Sequence, residues 1–444
     1  MKQLTVIIFI ITRSISIFAQ DNTRLNLNQC IALALKNNIE VQKSTIQTES
    51  DHIGWQQKRA DLLPSLNSGI THGLNQGRSI DPLTNDYINN EITYARPYLS
   101  GSLLLFNGMA LQNIIKQHSF IYQAAKQEEQ QVKDALTLQV ILTYLQVLTN
   151  QELLILSKTQ QETTVKQVER LETLNNNGAI IPSVYYDLKG QYANDLVSAI
   201  NVSNSLENSK ILLVGLLNIP YNQNLSLDQL PAGQFLLDYY TSPNQVYEAA
   251  LQNLASVKAA DFRKKSADLQ VKSSRSGYFP SVYFNSDLSS SFSNAALDAQ
   301  TRNVGYFDQL HTNLSKSFNI SVNIPLFNSF KTKNTVTLAK LNQRENEIIA
   351  QGIRTQLQQL TEQAYFNMTA SKDRYISLKD QVDAYAQSFR TAEIRFNSGV
   401  INSVDYLTAK NNLERANINM LTNRYDFILR KKILDFYQGK PLSL

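Results

Sequence analysis

The chain carries the same pattern twice, and no fold that ignores the duplication can fit it. Asn28, Gln29, Ala34, Leu35, Asn37 and Pro64 recur as Asn244, Gln245, Ala250, Leu251, Asn253 and Pro280, each number raised by 216. Leu105, Phe106, Asn107, Gly178 and Pro220 recur as Leu326, Phe327, Asn328, Gly399 and Pro441, each raised by 221. One unit written twice, with about five residues inserted between Pro280 and Leu326, accounts for both displacements. Such a period is far too long for a solenoid, so each copy must be a large structural half. The halves run over residues 21–220 and 244–438, with an inter-repeat segment at 221–243 and a tail at 439–444.

A chain of 444 residues could make two or three ordinary domains, but two related halves favour one architecture with internal pseudo-symmetry. The formal net charge of +5 is modest and spread along the chain, and no Lys/Arg block alternates with aromatics. That pattern argues against nucleic acid as a partner. Residues 1–20 begin with Lys2, continue through an apolar run at 4–11 broken later by Arg13, and end on Ala19 before Asp21. They predict a secretory signal peptide. No later segment offers the ~18 to 20 apolar residues of a membrane-spanning helix, so any contact with a bilayer core must be made by strands.

Cys30 is the single cysteine, which rules out an intrachain disulfide, and its place in the apolar-periodic run 27–35 predicts a core thiol. His52, His72, His118 and His311 are scattered, without an i,i+4 pair or a nearby Cys or Glu cluster, which argues against zinc. No nucleophile with its base and no phosphate loop is found, so neither an enzyme nor a cofactor is expected.

Residues 109–177 contain no glycine and no proline. Unbroken helix over that stretch would be about 100 Å long, several times a globular helix. The matching stretch 326–398 contains only Gly352. Tyr375, Leu378, Val382, Tyr385, Phe389, Ala392 and Phe396 follow alternating steps of three and four, the seam of a left-handed coiled coil, and Leu138, Ile141, Leu145 and Leu148 repeat it in the first half. The opposite faces are rich in Gln, Asn, Thr and Lys, which predicts a wide wet side. Each long helix stops at Gly178 or Gly399, and a return helix starts at Pro182-Ser183 or Asn402-Ser403. The second return carries Ile418, Leu421, Tyr425 and Ile428 on one stripe. Each half is thus expected to hold a long helical hairpin with a tight tip.

At the other end of each half the period changes to two. Phe318, Ile320, Val322 and Ile324 alternate with Ser317, Asn319, Ser321 and Asn323, and Val282, Phe284, Leu288 and Phe292 alternate with Asn285, Asp287, Ser289 and Ser291. Alternation over about ten residues is the signature of a membrane strand, apolar outside and polar inside. The first half offers residues 66–75 and 98–106, where Gly69, Gly73 and Gly101 are expected to dilute the apolar face. The segments 76–90 and 293–313 are long, polar hairpin loops. Four strands cannot close a barrel, and an open edge in hydrocarbon leaves N–H and C=O groups unpaired at several kcal/mol each. Several chains must therefore share one barrel of eight strands or more.

In these features the chain resembles the outer-membrane efflux channel family, the TolC-like outer membrane factors. The resemblance rests on the opening run 27–38, the junctions Leu63-Pro64-Ser65-Leu66 and Phe279-Pro280-Ser281-Val282, the two Leu-Phe-Asn strand ends and both glycine tips, twice over and in order. It implies a mainly α fold with membrane β: a long coiled-coil α-helical barrel continuous with a transmembrane β-barrel of twelve strands, shared by a homotrimer with two internal repeats per chain. The segment 221–243 and the tail would form a small belt. The resemblance further implies an exit duct without chemistry of its own, placed in outer-membrane lipid with its helices in the periplasm. Such a duct docks by its tips onto a periplasmic adaptor protein, which links it to an inner-membrane pump of RND, ABC or MFS type.

For site residues, the resemblance points to Asp405 as an acidic ring at the entrance, where three copies would repel one another and favour cations. The helix dipole near Asn402 would by itself also favour an acid there. A second acidic ring would fall at Thr408, a basic latch at Ile401 and its acidic partner at Val184, and none is present. Closure by packing of Ile401, Val184, Tyr185 and Tyr406 is expected instead. Gly178, Ala179, Ile180, Gly399 and Val400 resemble adaptor-contacting tips, with Ile180 and Ile401 expected to be exposed beside the glycines. Two other classes compete: a structural or adhesive periplasmic coiled coil, which would not need Phe318, Ile320, Val322 and Ile324 pointing into lipid, and a periplasmic adaptor, which the duplicated hairpin disfavours.

Overall fold

The computed structural model describes residues 24–80, 85–89, 91–229, 241–298 and 302–440. The predicted signal peptide, parts of the two hairpin loops, the middle of the inter-repeat segment and the last four residues of the tail lie outside them. The first repeat runs α1 (Leu27–Asn37), α2 (Ile39–Ala60), β1 (Ser65–Asn75), a short hairpin of β2 (Arg78–Ile80) and β3 (Tyr87–Asn89), β4 (Ile92–Phe106), α3 (Ala110–Asn176) and α4 (Pro182–Leu217). The second runs α5 (Pro243–Asn253), α6 (Ala255–Arg275), β5 (Ser281–Ser289), β6 (Phe292–Ser293), α7 (Tyr306–Thr312), β7 (Ser315–Asn323), α8 (Lys331–Asn397) and α9 (Ser403–Tyr437). Helices α3 and α8 are both 67 residues long. Their starts differ by 221 in number, whereas those of α1 and α5 differ by 216. The inserted residues therefore sit in the loop between β5 and β7.

The recurring glutamine, Gln29 and Gln245, has a local cause. Asn26 accepts from the Gln29 backbone N–H while Gln29 accepts from that of Asn26, both at 2.9 Å. Ser242 and Gln245 repeat this capping box at the start of α5. Reciprocal caps of this kind satisfy two orphan helix donors at once. Two helices precede the first strand of each repeat. Asn38 and Leu254 break the run with extended backbone, and each N–H returns to the carbonyl four residues back.

The chain divides into two compact units. One comprises Gln42–Val132 and Glu248–Leu360, the other Met1–Val41, Lys133–Tyr247 and Thr361–Leu444, and α3 and α8 contribute to both. The first unit holds a sheet of order β1-β4-β5-β7, antiparallel throughout, with β6 also paired to β4. Ser65 lies opposite Ser102 in the first hairpin and Ser281 opposite Asn323 in the second. Raising 65 by 216 and 102 by 221 turns the first pair into the second, so the two hairpins are equivalent residue for residue.

The sheet has two unlike faces. Phe284 stacks on Phe318 on one, with ring centroids 6.4 Å apart. On the other, Asn285 donates to Asn319 Oδ1 and Ser321 Oγ at 3.1 Å and accepts from Ser102 at 3.0 Å. Register puts Gly101 on the apolar face but Gly69 and Gly73 on the polar one, which corrects the expectation that all three dilute the apolar side. Gly69 lies opposite Tyr98 and Gly73 opposite Tyr94, and a Cβ at either would come within 2.8 Å of the tyrosine ring. Glycines here make room for cross-strand aromatics, a known device for holding register. Phe292 also departs from expectation: β5 ends at Ser289, and Phe292 belongs to β6, opposite Ala95.

In the second unit, α1, the later part of α3, α4 and α9 enclose a core that includes Cys30, Tyr144, Leu148, Leu213, Leu217 and Ile428. Cys30 is fully buried, as its position predicted, and burial pushes its thiol up to about 12. The α8 seam also holds: Tyr375, Leu378, Val382, Tyr385, Phe389, Ala392 and Phe396 are among its less exposed positions. The first-half helix does not keep a wide wet side around its seam, because between 140 and 150 only Leu142 and Gln146 are exposed. Helix α3 is long and apolar enough to span a membrane by length and composition, contrary to the reading of the sequence, but its 140–150 stretch is packed as core. The described part of the inter-repeat segment covers it: Leu25 pairs with Leu227, and Tyr144 donates to the Asp228 carbonyl at 2.8 Å.

Gly69→Val should weaken the β1–β4 hairpin by about 1–3 kcal/mol through overpacking, and combining it with Tyr98→Ala should restore part of the loss. Thermal unfolding of the purified protein in detergent reads both. An unchanged midpoint for Gly69→Val alone would show that the ring moves aside freely.

Candidate functional site: the sheet wall and the hairpin tips

The first candidate surface is the apolar face of the sheet. Phe318, Ile320 and Val322 are 66, 65 and 57 % exposed on the described chain, and Leu66, Ile70 and Leu74 of β1 stand on the same face, exposed as well. Ile324 is exposed too but lies one residue past the end of β7. On β1 this face alternates Leu66, Ile70 and Leu74 with Ser68 and His72, while β7 keeps Phe318, Ile320 and Val322 in succession; water does not stabilise so many exposed apolar side chains on both edge strands, whereas hydrocarbon does. The two edges, β1 and β7, have no strand beyond them among the described residues.

The second candidate surface is the tip of the two helical hairpins. Gly178 and Gly399 take φ values of 68° and 71°, which glycine adopts without steric cost. Ala179 N–H reaches Leu174 O and Val400 N–H reaches Arg395 O, both at 2.8 Å, while each glycine N–H bonds three residues back. These are matching Schellman closures. The returns start differently. Pro182 opens α4 with no side-chain cap, whereas Asn402 Oδ1 accepts from the Asp405 N–H at 2.8 Å.

Beneath the tips, Tyr185, Tyr406, Leu171, Leu188 and Phe396 form a buried cluster, with Val184, Ile180 and Ile401 packed against it. Tyr406 stacks on Phe396 at 4.5 Å, and burial pushes its hydroxyl up to about 12. Four of the five predicted gate residues are thus neighbours. Asp405 stands apart, exposed, in a cleft between α8 and α9 lined also by Arg395, Ile401 and Thr408. The expectation that Ile180 and Ile401 are exposed does not hold, since both are half-buried on this cluster. The apolar side chains presented to solvent are Ile181, Val400 and Val404, at 72, 62 and 63 %.

Sequence reasoning missed the polar links that join the two hairpins. Ser403 Oγ donates to Asp187 Oδ2 at 2.6 Å, and Arg170 of α3 bonds Asn397 at the end of α8. Deeper, Lys410 is 3 % exposed and lies 3.1 Å from Asp195 and 2.5 Å from Glu414. Asp195 also accepts from Gln191 and Thr164. Burial raises the Glu414 carboxyl, and the Lys410 ammonium opposes that shift. Only the step of four from Lys410 to Glu414 was visible in the sequence, and it looks the same as a surface ion pair. Lys410 and Asp195 are 215 residues apart and meet only once the repeats pack.

A family model described as outer membrane efflux protein matches residues 30–218 and again 246–437, once per repeat. The chain belongs to the outer membrane efflux protein family. Outer membrane protein TolC of Vibrio cholerae is 24 % identical over 413 residues, covering 91 % of this chain and 88 % of that protein. Among solved structures, the outer membrane protein VceC of Vibrio cholerae aligns at TM-score 0.81 and 15 % identity, covering 94 % of this chain and 97 % of its own. A membrane protein of Pseudomonas aeruginosa aligns at TM-score 0.79 and 16 % identity, over 94 % and 90 %. Membership places this efflux-family protein in the outer membrane, with its helical part in the periplasm, and assigns it to transport. The family is one of channels and not of enzymes.

Removing one partner from a buried pair leaves a charge without compensation. Lys410→Met should cost about 3–5 kcal/mol, and Lys410→Met with Asp195→Leu and Glu414→Gln should recover much of it. A thermal melt of the purified protein followed by circular dichroism checks both. A single variant as stable as the parent would show that water reaches this cluster.

Proposed function

We propose that this chain is the exit duct of a tripartite efflux or type I secretion assembly. Three copies share one twelve-stranded barrel in the outer membrane, and their helices line a water-filled passage through the periplasm. A periplasmic adaptor docks on the tips at Gly178, Ala179, Ile180, Gly399 and Val400, with Ile181 as a further exposed contact, and couples the duct to an inner-membrane pump. Cargo of small molecules or polypeptides passes without chemical change.

One observation carries this reading: a sheet of four long strands with an exposed apolar face, a polar face tied together by Ser102, Asn285, Asn319 and Ser321, and two free edges among the described residues. Lipid accounts for the first face, an aqueous lumen for the second, and neighbouring copies for the edges. A structural or adhesive coiled coil needs none of the three.

At the entrance, Asp405 is exposed on the cleft side of α9 and would form a ring of three carboxylates. Their mutual repulsion favours cations in a narrow opening. Tyr185, Tyr406, Val184 and Ile401 act beside it as packing that holds the hairpins together, which fits the absence of a basic residue at 401.

Single-channel recording in planar bilayers tests the proposal. Large, mildly cation-selective steps are expected, with Asp405→Ala reducing the cation preference about two- to fivefold. Unchanged selectivity would remove Asp405 from the gate. Protein that gives no conductance and stays monomeric in detergent would favour the structural coiled coil.

A further inference from the structure

Among the described residues, the polar face of β1, β4, β5 and β7 holds two charged side chains, Arg96 and Asp287. Raising 71 by 216 gives 287 and raising 96 by 221 gives 317, so the cross-strand pair Thr71–Arg96 of the first hairpin corresponds to Asp287–Ser317 of the second. Each hairpin puts one charge into the same pair, the first a cation and the second an acid. The two do not neutralise each other within the chain. Asp287 lies opposite Ser100 of β4, four residues from Arg96, which is about 13 Å at ~3.3 Å per residue.

Arg96 is exposed and opens onto a cleft of about 410 Å³, lined also by Thr71, Tyr98, Ser289, Ser291, Asn313 and Ser315. No carboxylate is among the residues that line it. Its far wall is fixed by three bonds between the end of β5 and its neighbours. The Ser290 N–H donates to the Pro97 carbonyl at 3.1 Å, the Ser290 hydroxyl to the Leu310 carbonyl of α7 at 2.7 Å, and the Asn313 amide to the Ser291 carbonyl at 2.8 Å. By contrast, the hydroxyls of Thr71, Ser289, Ser291 and Ser315 have no hydrogen-bond partner among the described residues. The Arg96 guanidinium lies 5.4 Å from the centre of the Tyr94 ring. The glycines at 69 and 73, which make room for Tyr98 and Tyr94, thus also set an aromatic ring on either side of Arg96 along β4.

We propose that this cleft is a contact site for small organic anions, with the carboxylate on Arg96 and the apolar body on the Tyr94 and Tyr98 rings. The inference rests on the reading of the chain as a duct, which puts the polar face on the lumen, and it adds a class of cargo and the residues that touch it. A planar guanidinium meets a carboxylate with two parallel N–H donors, a stronger bond than a neutral pair makes. The free hydroxyls across the cleft supply donors for the remaining lone pairs, and the volume suits a small molecule. Arg96 precedes Phe106, the last residue of β4, by ten positions, so the site stands toward the loop end of the sheet and away from the long helices. Cargo would reach it late. A single cation at an open cleft holds an anion briefly, and conduction needs binding weak enough to release. The second hairpin has Ser317 in place of Arg96, so a trimer would carry three such sites and not six.

Benzoate tests the site. Added to both chambers of a planar bilayer that holds single channels, it should interrupt the current, and Arg96→Gln should raise the half-blocking concentration about tenfold. Arg96→Lys keeps the charge without the fork and should recover only part of that loss. Asp287→Asn separates a local contact from the general field of the lumen. In 1 M salt the screening length is about 3 Å, so this variant should block within about twofold of the parent. Equal block of the parent and Arg96→Gln, an equally large change with Asp287→Asn, or equal block by neutral benzamide would each overturn the site, and the conducting channel would leave the duct standing. Saturation-transfer NMR on the purified protein in detergent reads benzoate binding without any conductance. Transfer that Arg96→Gln abolishes, in a parent that forms no channels, would keep the site and remove the duct. No transfer and no channels would remove both.

Discussion

An unpaired strand edge costs almost nothing in water, where solvent bonds its N–H and C=O groups, and several kcal/mol per group in hydrocarbon. That difference governs this chain. β1 and β7 each carry an apolar face suited to lipid and an edge that lipid cannot satisfy. The chain cannot remove the conflict alone, because four strands are too few to curl into a closed wall. Duplication makes a collective solution simple. Inside the chain the end of one repeat already meets the start of the next, as β4 pairs with β5, and the proposed assembly asks the same of neighbouring chains. The polar and apolar faces then sort without further design, since side-chain direction alternates along every strand.

In the unit that carries the tips the requirement is different, and so are the means. The tips are closed by backbone geometry at Gly178 and Gly399 and held by a small aromatic cluster with polar cross-links around it. A buried Lys410 between Asp195 and Glu414 is a poor source of net stability, because desolvation offsets most of the attraction. It does penalise any sliding of α9 against α4, since a shift of one helical turn would leave a bare charge inside. Packing of this sort favours discrete arrangements over continuous ones, which suits a hairpin pair that must hold one register.

Much of this was legible in the sequence because it is periodic. The repeats, the two 67-residue helices, the glycine stops and the alternating strand of residues 318–322 are one-dimensional patterns. Cys30 was readable for the same reason, since it falls on the apolar stripe of α1. What escaped depends on partners far away in the chain. Gly69 and Gly73 looked like weak strand positions until register placed Tyr98 and Tyr94 opposite them. The 140–150 stretch of α3 looked one-sided until α1, α4 and the inter-repeat segment covered its other faces. Ile180 and Ile401 looked exposed beside the turn glycines, but the Schellman closure folds them back onto the cluster and leaves Ile181 and Val400 outside. The buried Lys410 was invisible because its main partner comes from the other repeat.

Comparing equivalent positions shows where the repeats have diverged. Tyr185 and Tyr406 are equivalent and both buried, so the floor of the tip is shared. Lys189 and Lys410 are equivalent too, yet Lys189 is exposed and bonds the Tyr185 hydroxyl, while Lys410 is sealed with two carboxylates. Where the second repeat has Phe396 stacked on its tyrosine, the first has Asn175, and Tyr185 instead donates to Glu172. Asp405 has Val184 as its counterpart, so an acid sits beside the N-terminus of α9 but not beside that of α4. These differences give the second hairpin a tyrosine stacked on an aromatic ring, a sealed lysine and the only first-turn acid of the two returns. A ring built from alternating hairpins would then present its acidic groups on every second hairpin, three in a trimer and not six.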